Sequence, residues 1–308
     1  MNASVRRAAR SVGLAINGNP AVRSVKNLRN RIIDRGFRRS GRAEGAAFVE
    51  RLKAAGIRDA AFAIAFNCPW AIDLLTRSWA VHQPLVPLVV VDNSSDASAR
   101  AAHAETCDHR GVRYLPLPPN PEWSPNRSHG IALNWVWFNV VRPAGLELAG
   151  FIDHDLIPLA PLDLRHVTRG RAAYGLRGAS LTHPQAWNLW AGYCFVRPSA
   201  SEGFEVDFKH RIEHGLDTGG GNWRGFYRWL GDESVGAATH RWERLDLGNG
   251  SPSEKLLLLD GAFLHLDGAS YRSALRDESS RRRLVEAVLA RSAAAAADRG
   301  LKAGSEAS

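Results

Sequence analysis

No run of about 18 apolar residues occurs in this chain of 308 residues, so the sequence offers no helix able to span a bilayer. The amino-terminal segment also lacks the apolar core of a signal peptide. Cysteine is scarce: Cys68, Cys107 and Cys194 are scattered, with no CxxC among them. That spacing supports neither a disulfide framework nor a zinc site. It fits a reducing cytosol, with three small buried thiols. Glycine-rich phosphate loops are missing as well, since neither GxGxxG nor GxxxxGK(S/T) occurs. Any nucleotide phosphate must then be held by other groups. There is no internal repeat.

Acidic residues are nearly absent from positions 1–42, which hold eleven Lys or Arg against Asp34 alone. The other 266 residues are balanced, with 29 basic and 30 acidic side chains. The net charge of +9 therefore belongs to an amino-terminal arm, set at residues 1–45, and not to the body. A broad nucleic-acid face on the body is thereby disfavoured. Within the arm, Val25, Leu28, Ile32 and Ile33 recur near helical spacing with arginines between them. That pattern suits an anionic membrane surface, and a self-packed or disordered basic tail has the same composition.

What is present has a rhythm. Helical patterns at Glu44–Ala55, Trp70–Val81, Ala97–His109 and Ser128–Val140 alternate with short apolar strands at Ala60–Phe66, Pro87–Val91, Val112–Leu115 and Gly150–Asp153. Alternation of this kind predicts parallel βαβ units in an α/β fold. From Arg171 onward, short strands (Ala172–Leu176, Ala191–Val196, Leu256–Leu259, Phe263–Leu266) are separated by polar or Gly-rich stretches. The expected single domain covers residues 46–292, and the Ala-, Gly- and Ser-rich residues 293–308 are expected to be a disordered tail.

The chemistry concentrates in Asp153-His154-Asp155, which closes the apolar run Leu148–Ile152. Two carboxylates at i and i+2 then stand at the carboxyl end of a strand, where open α/β sheets place ligands. Oxygen ligands of this kind suit Mg²⁺ or Mn²⁺, and such a cation bridges to substrate phosphates. A second acid, Asp92, ends the strand in Val89-Val90-Val91-Asp92-Asn93-Ser94-Ser95-Asp96. It can accept hydrogen bonds from ribose or a base, with Asn93 beside it. Asp96 is better read as a helix cap. Asn126-Arg127-Ser128-His129-Gly130 opens a helix, where Arg127 and free N–H groups could meet an anionic donor. Capping by Ser128 explains the same residues equally well.

With these segments in order, the chain resembles the nucleotide-sugar half of GT-A fold glycosyltransferases, most nearly the family 2 type, over roughly residues 60–270. The resemblance implies a Rossmann-like sandwich with a mostly parallel central sheet. It implies transfer of a sugar, of the hexosyltransferase type, from a nucleotide-diphosphate sugar to an acceptor hydroxyl on a glycan or lipid-linked acceptor. Asp92 would contact the nucleoside, and Asp153 and Asp155 would form the DxD-type motif that holds the metal on the diphosphate. His265, in Phe263-Leu264-His265-Leu266, would be the third metal ligand; a lone histidine in an apolar run is otherwise a core residue.

Direct displacement needs one carboxylate to take the acceptor's proton. Asp232-Glu233, after Trp229-Leu230-Gly231, is similar to the family's acidic segment beneath the acceptor. Asp217, before the run Gly219-Gly220-Gly221, is the other candidate. Of the ten tryptophans, Trp187, Trp190, Trp223, Trp229 and Trp242 fall in the second half, where flat faces suit sugar rings. The expected reading is an inverting enzyme of glycan or cell-envelope polysaccharide synthesis. It would be cytoplasmic, peripheral on the inner membrane leaflet through residues 1–42, and not a nucleic-acid binder. A sugar-phosphate nucleotidyltransferase and a non-catalytic nucleotide-sugar binding module remain alternatives.

Overall fold

Each strand at the centre of the fold reads as an unbroken apolar run because both faces of its sheet are covered. In this computed structural model, which describes residues 20–247, 253–272, 275 and 277–306, β1 (Asp59–Ala65) is buried along its whole length. Successive side chains alternate between two cores. Ala60, Phe62 and Ile64 enter one core, and Ala61, Ala63 and Ala65 enter the other. The neighbours β2 (Leu88–Asp92) and β4 (Leu148–Asp153) alternate in the same way.

A seven-stranded sheet runs β3-β2-β1-β4-β7-β6-β8, completed by β3 (Arg113–Pro116), β6 (Ala173–Ala179), β7 (Trp187–Val196) and β8 (Val235–Ala237). Strands β1 to β4 pair in parallel, whereas β7 is antiparallel to both β4 and β6. Since β8 is parallel to β6, only β7 opposes the common direction. A second, antiparallel sheet runs β5-β11-β10-β9, from β5 (Leu156–Pro158), β9 (His240–Leu245), β10 (Glu254–Leu259) and β11 (Phe263–His265). This is the mostly parallel α/β sandwich that the alternating pattern predicts.

On one face lie α1 (Pro20–Arg39), α2 (Arg42–Ala54) and α5 (Pro125–Val136), contributing Phe37, Phe48, Leu52, Leu133 and Trp135 to the first core. On the other face lie α3 (Pro69–His82), α4 (Ala97–His109) and α6 (Glu278–Glu306), with Leu75, Trp79, Cys107 and Leu284 in the second core. The α3 start follows the prediction, with Pro69 in the first helical turn. The predicted capping by Asp96 is observed: its side chain accepts from Ser98 N (2.7 Å) and Ala99 N (3.1 Å). Helix α5 begins three residues before the predicted Ser128, at Pro125, with Ser124 in the N-cap position.

Two boundaries differ from those expected. The arm does not end at residue 45: α1 is docked by buried Phe37 and part-buried Ile33, and α2 belongs to the first core. Residues 1–19 of the arm lie outside the described residues. The expected disordered tail from 293 continues α6 to Glu306, and its alanines are strong helix formers; residues 307–308 lie outside the described residues.

Candidate active site

The acidic turn sits where the two sheets meet. Asp153 is the last residue of β4 in the large sheet, and Leu156 opens β5 in the small one. In the small sheet, β11 pairs with β5 so that His265 faces Leu156, and Leu266 N donates to Asp155 O at 3.0 Å. That register brings His265 Nε2 to 3.4 Å from Asp155 Oδ1. Ligating atoms of Asp153, Asp155 and His265 all lie within 4.8 Å of one another. The chain then turns through Asp267 (φ 53°) and Gly268 (φ 75°), both left-handed, and Ala269 N donates to Asp155 Oδ2 at 3.0 Å. His154, between the two acids, faces the other way. Its Nδ1 bonds Ile64 O (3.1 Å) and its Nε2 meets Ser270 Oγ (2.8 Å), which fixes the turn against β1.

The electrostatics of the pair are unequal. Burial, then the neighbouring Asp155, pushes the Asp153 carboxyl up to about 6. Burial would also raise Asp155, but the hydrogen bond from His265 and the nearby His154 outweigh it and hold Asp155 well below the usual carboxylate range. For His265, burial opposes protonation and the bond to Asp155 outweighs it, so its value is raised. Two carboxylates this close repel, and a divalent cation relieves that repulsion. Two hard oxygen donors and one imidazole are a donor set that Mn²⁺ or Mg²⁺ accepts. The residues present therefore fit a divalent cation.

This triad opens into a cleft of about 990 Å³ at the carboxyl ends of the parallel strands. One wall carries Asn93, Ser94 and Ser95 after β2, and another carries Pro119–Trp123 from the Pro-rich loop. Trp190, His129 and Asp217 complete the polar end. Trp190 packs edge-on against His265, with ring centroids 4.8 Å apart. A smaller hollow of about 350 Å³, lined by Phe48, Arg51 and Gly111–Tyr114, gathers no acid or metal-ligating group.

Asp217 is exposed in the cleft and held by its backbone. Thr218 O accepts from Ala191 N (3.3 Å) on β7, and Gly219 N donates to Phe208 O (2.7 Å). The three glycines answer to close backbone approach. A β-carbon on Gly219 (φ 96°) would stand 2.3 Å from Leu189 O, and one on Gly221 would stand 2.4 Å from Asp207 O.

Four sequence-predicted residues, Asp92, Arg127, Asp232 and Glu233, do not reach the cleft. Asp92 is fully buried, and its oxygens accept from Ser94 N (2.8 Å), Tyr114 OH (2.7 Å) and His103 Nδ1 (3.1 Å). Burial alone would raise its value; the bonds from His103, Ser94 and Tyr114 outweigh burial and hold it at about 2. It braces β2 against β3 and α4 and does not face the cleft as the predicted nucleoside contact requires; the neighbouring Asn93, Ser94 and Ser95 are the residues of this segment that line it. Arg127 is turned away as well: it bonds Glu122 Oε2 (2.6 Å) and Asp34 Oδ1 (2.5 Å). Asp232 and Glu233 are exposed outside the cleft lining, with Asp232 3.7 Å from Arg177 Nη1. Of the tryptophans singled out, Trp190 lines the cleft. Trp187 is instead buried and stacked on Tyr227 at 5.2 Å, while Trp223, Trp229 and Trp242 lie outside the lining.

Among the lining residues that sequence reasoning missed are His129 and Trp123. His129 Nε2 is 3.7 Å from Asp153 Oδ1 and finds no hydrogen-bond partner among the described residues. Burial holds that imidazole down at about 4, against the pull of Asp217 and Asp155. Trp123 is 83% exposed at the rim. The only sequence signal for His129 was its place near a helix start.

No family model and no curated protein matches the chain. Among solved structures it is similar to the mannosyltransferase PcManGT from Pyrobaculum calidifontis, in complex with GDP-Man and Mn²⁺, at 13% identity over 57% of this chain and 59% of that one, with a TM-score of 0.36. It is also similar to S. aureus TarS at 16% identity, over 52% of this chain and 32% of that one, with a TM-score of 0.35. The glucosyl-3-phosphoglycerate synthase from Mycobacterium tuberculosis gives 19% identity, over 51% of this chain and 63% of that one, with a TM-score of 0.33. The chain thus spans less than two thirds of each. Likeness at this level carries nothing about ligands or activity, which have to come from the cleft itself. Its mostly parallel sheet, with an acidic pair at the carboxyl edge, is the arrangement that the GT-A resemblance implies.

Proposed function

We propose that the chain is a metal-dependent glycosyltransferase that moves a hexosyl unit from a nucleotide-diphosphate sugar to an acceptor hydroxyl, with inversion, in glycan or cell-envelope polysaccharide synthesis. One observation carries the reading: Asp153, Asp155 and His265 converge within 4.8 Å at the floor of a cleft large enough for a nucleotide sugar. These three residues would hold Mn²⁺ or Mg²⁺. When bound, such a cation stabilises the negative charge of a leaving diphosphate.

The chain's own residues would do the rest. Asn93, Ser94 and Ser95 offer a polar edge for the nucleoside. His129, neutral at physiological pH and unpartnered at Nε2, can hydrogen-bond a phosphate oxygen. Trp190 offers an aromatic face to a sugar ring and helps exclude water. Asp217, exposed in the cleft, would accept the proton of the attacking hydroxyl.

A thermal-shift series with nucleoside diphosphates and their sugars, with and without Mn²⁺, tests the reading. A ligand of the native state raises its melting temperature. The expected result is a rise that needs both the cation and the diphosphate and disappears in Asp155→Ala, with Mn²⁺-dependent consumption of one nucleotide sugar. No cation-dependent shift with any of them would sink the proposal.

A further inference from the structure

Helix α1 presents two faces, and among the described residues only one of them is packed against the body. Its inner face is fixed to the body. Phe37 is buried, Asp34 bonds both Arg127 and Lys209, and Arg29 pairs with Glu122 at 3.3 Å. Its outer face carries Val25, Leu28 and Ile32, which are 68%, 60% and 62% exposed. At 3.6 residues per turn these three fall within an arc of about 60°. Arg31 and Arg35, both exposed, lie beside that arc, and exposed Arg39 continues it beyond Ile32.

A helix that keeps an aliphatic stripe and an arginine row on its water-facing side has the composition of an interfacial anchor. The row alone would suit any polyanion. The stripe discriminates, since branched aliphatic side chains gain nothing from a sugar-phosphate backbone and much from an acyl-chain boundary. The remainder of the chain is nearly charge-neutral, so attraction to an anionic surface is confined to this end. Its location matters too. Glu122, which pairs with Arg29, lies in the cleft rim next to Trp123, an indole that stands 83% exposed. Exposed tryptophan belongs at a membrane interface, where one side of the ring is apolar and the other wet.

We propose that the outer face of α1, together with Trp123, docks on an anionic lipid bilayer and brings the mouth of the cleft to the membrane surface. The proposal does not depend on the transfer chemistry.

Sedimentation of the full chain with vesicles tests it. Vesicles of phosphatidylcholine with phosphatidylglycerol should bind the protein, and vesicles of phosphatidylcholine alone should not. Added salt should weaken the binding. The set Val25→Ser, Leu28→Ser, Ile32→Ser and, separately, the set Arg31→Gln, Arg35→Gln, Arg39→Gln should each weaken binding about tenfold or more. Melting curves separate lost docking from lost fold, and the arginine set decides if the aliphatic set does not fold. Brominated lipid should quench part of the tryptophan emission, and Trp123→Phe should remove that quenching. Absence of binding to the anionic vesicles overturns the proposal. So does undiminished binding by the aliphatic set, which would make the arm a simple polycation for nucleic acid or another polyanion. Quenching that survives Trp123→Phe removes Trp123 from the surface.

Discussion

Gly192 lies directly against Asp153: a β-carbon at residue 192 would stand 2.7 Å from Asp153 Cγ and 2.2 Å from Trp190 Cζ2. The smallest side chain on β7 thus makes room for the first carboxylate of the acidic turn. Gly192→Ala should displace Asp153, Trp190 or both. We expect a stability loss of about 1–3 kcal/mol by calorimetry, as for other overpacked sites. We also expect loss of the Mn²⁺-dependent rise in melting temperature. A variant that still shows the full rise would mean that Trp190 yields to the added methyl and Asp153 stays in place, or that Asp153 plays no part in holding a cation.

Asp217 and the pair Asp232/Glu233 can be separated by kinetics. Asp217→Asn should lower kcat by about 10²- to 10⁴-fold while the thermal shift with donor and Mn²⁺ persists, because a proton acceptor acts in the transition state and not in donor binding. Asp232→Asn and Glu233→Gln should leave turnover near that of the parent. A large loss at Glu233 with none at Asp217 would move the proton acceptor to the exposed segment.

Buried Asp92 makes a statement about acid stability. Its folded value of about 2 lies below the ordinary carboxylate range, so the charged form is favoured by folding. Its contribution is fully present above about pH 4 and is lost as pH falls through about 2. The linked free energy is about 2–3 kcal/mol. Asp92→Asn should therefore be clearly less stable than the parent at pH 6, and the gap should narrow by pH 2. Urea titrations at the two pH values measure it, and a gap that stays constant would show that Asp92 is not charged in the fold.

Asp34 holds α1 to the body through Arg127 and Lys209. Asp34→Ala leaves two part-buried cations without that partner. We expect a loss of about 1–3 kcal/mol and faster proteolytic cleavage between residues 20 and 40. Unchanged protease resistance would mean that the Phe37, Ile33 and Arg29–Glu122 contacts fix the helix without Asp34.

Much of this was legible in advance, for identifiable reasons. Strands β1, β2 and β4 announced themselves because burial on both faces leaves no polar position in the run, and the acidic turn announced itself by ending one. Asp92 misled because an acid at a strand end looks the same whether it meets a ligand or the core. Its deciding partners, His103 and Tyr114, stand 11 and 22 residues away, and only the packing of α4 and β3 brings them in. Asp217 could not be ranked over Asp232, since the choice depends on Thr218 and Gly219 bonding to β7 and Phe208. Trp123 sits in a proline-rich loop that carries no periodicity. The arm's composition concealed that α1 has an inner face, because the Asp34 clamp is a single acid among eleven bases.

The acidic turn also joins two sheets that share no strand. Asp153 belongs to the large sheet, whereas His265 belongs to the small one and Asp155 is hydrogen-bonded to the chain that follows it. Any sliding at that seam changes the gap between the two carboxylates. A cation held there, as proposed, would act as a rivet, and the stiffness of the junction and the occupancy of the pocket would then become one mechanical property.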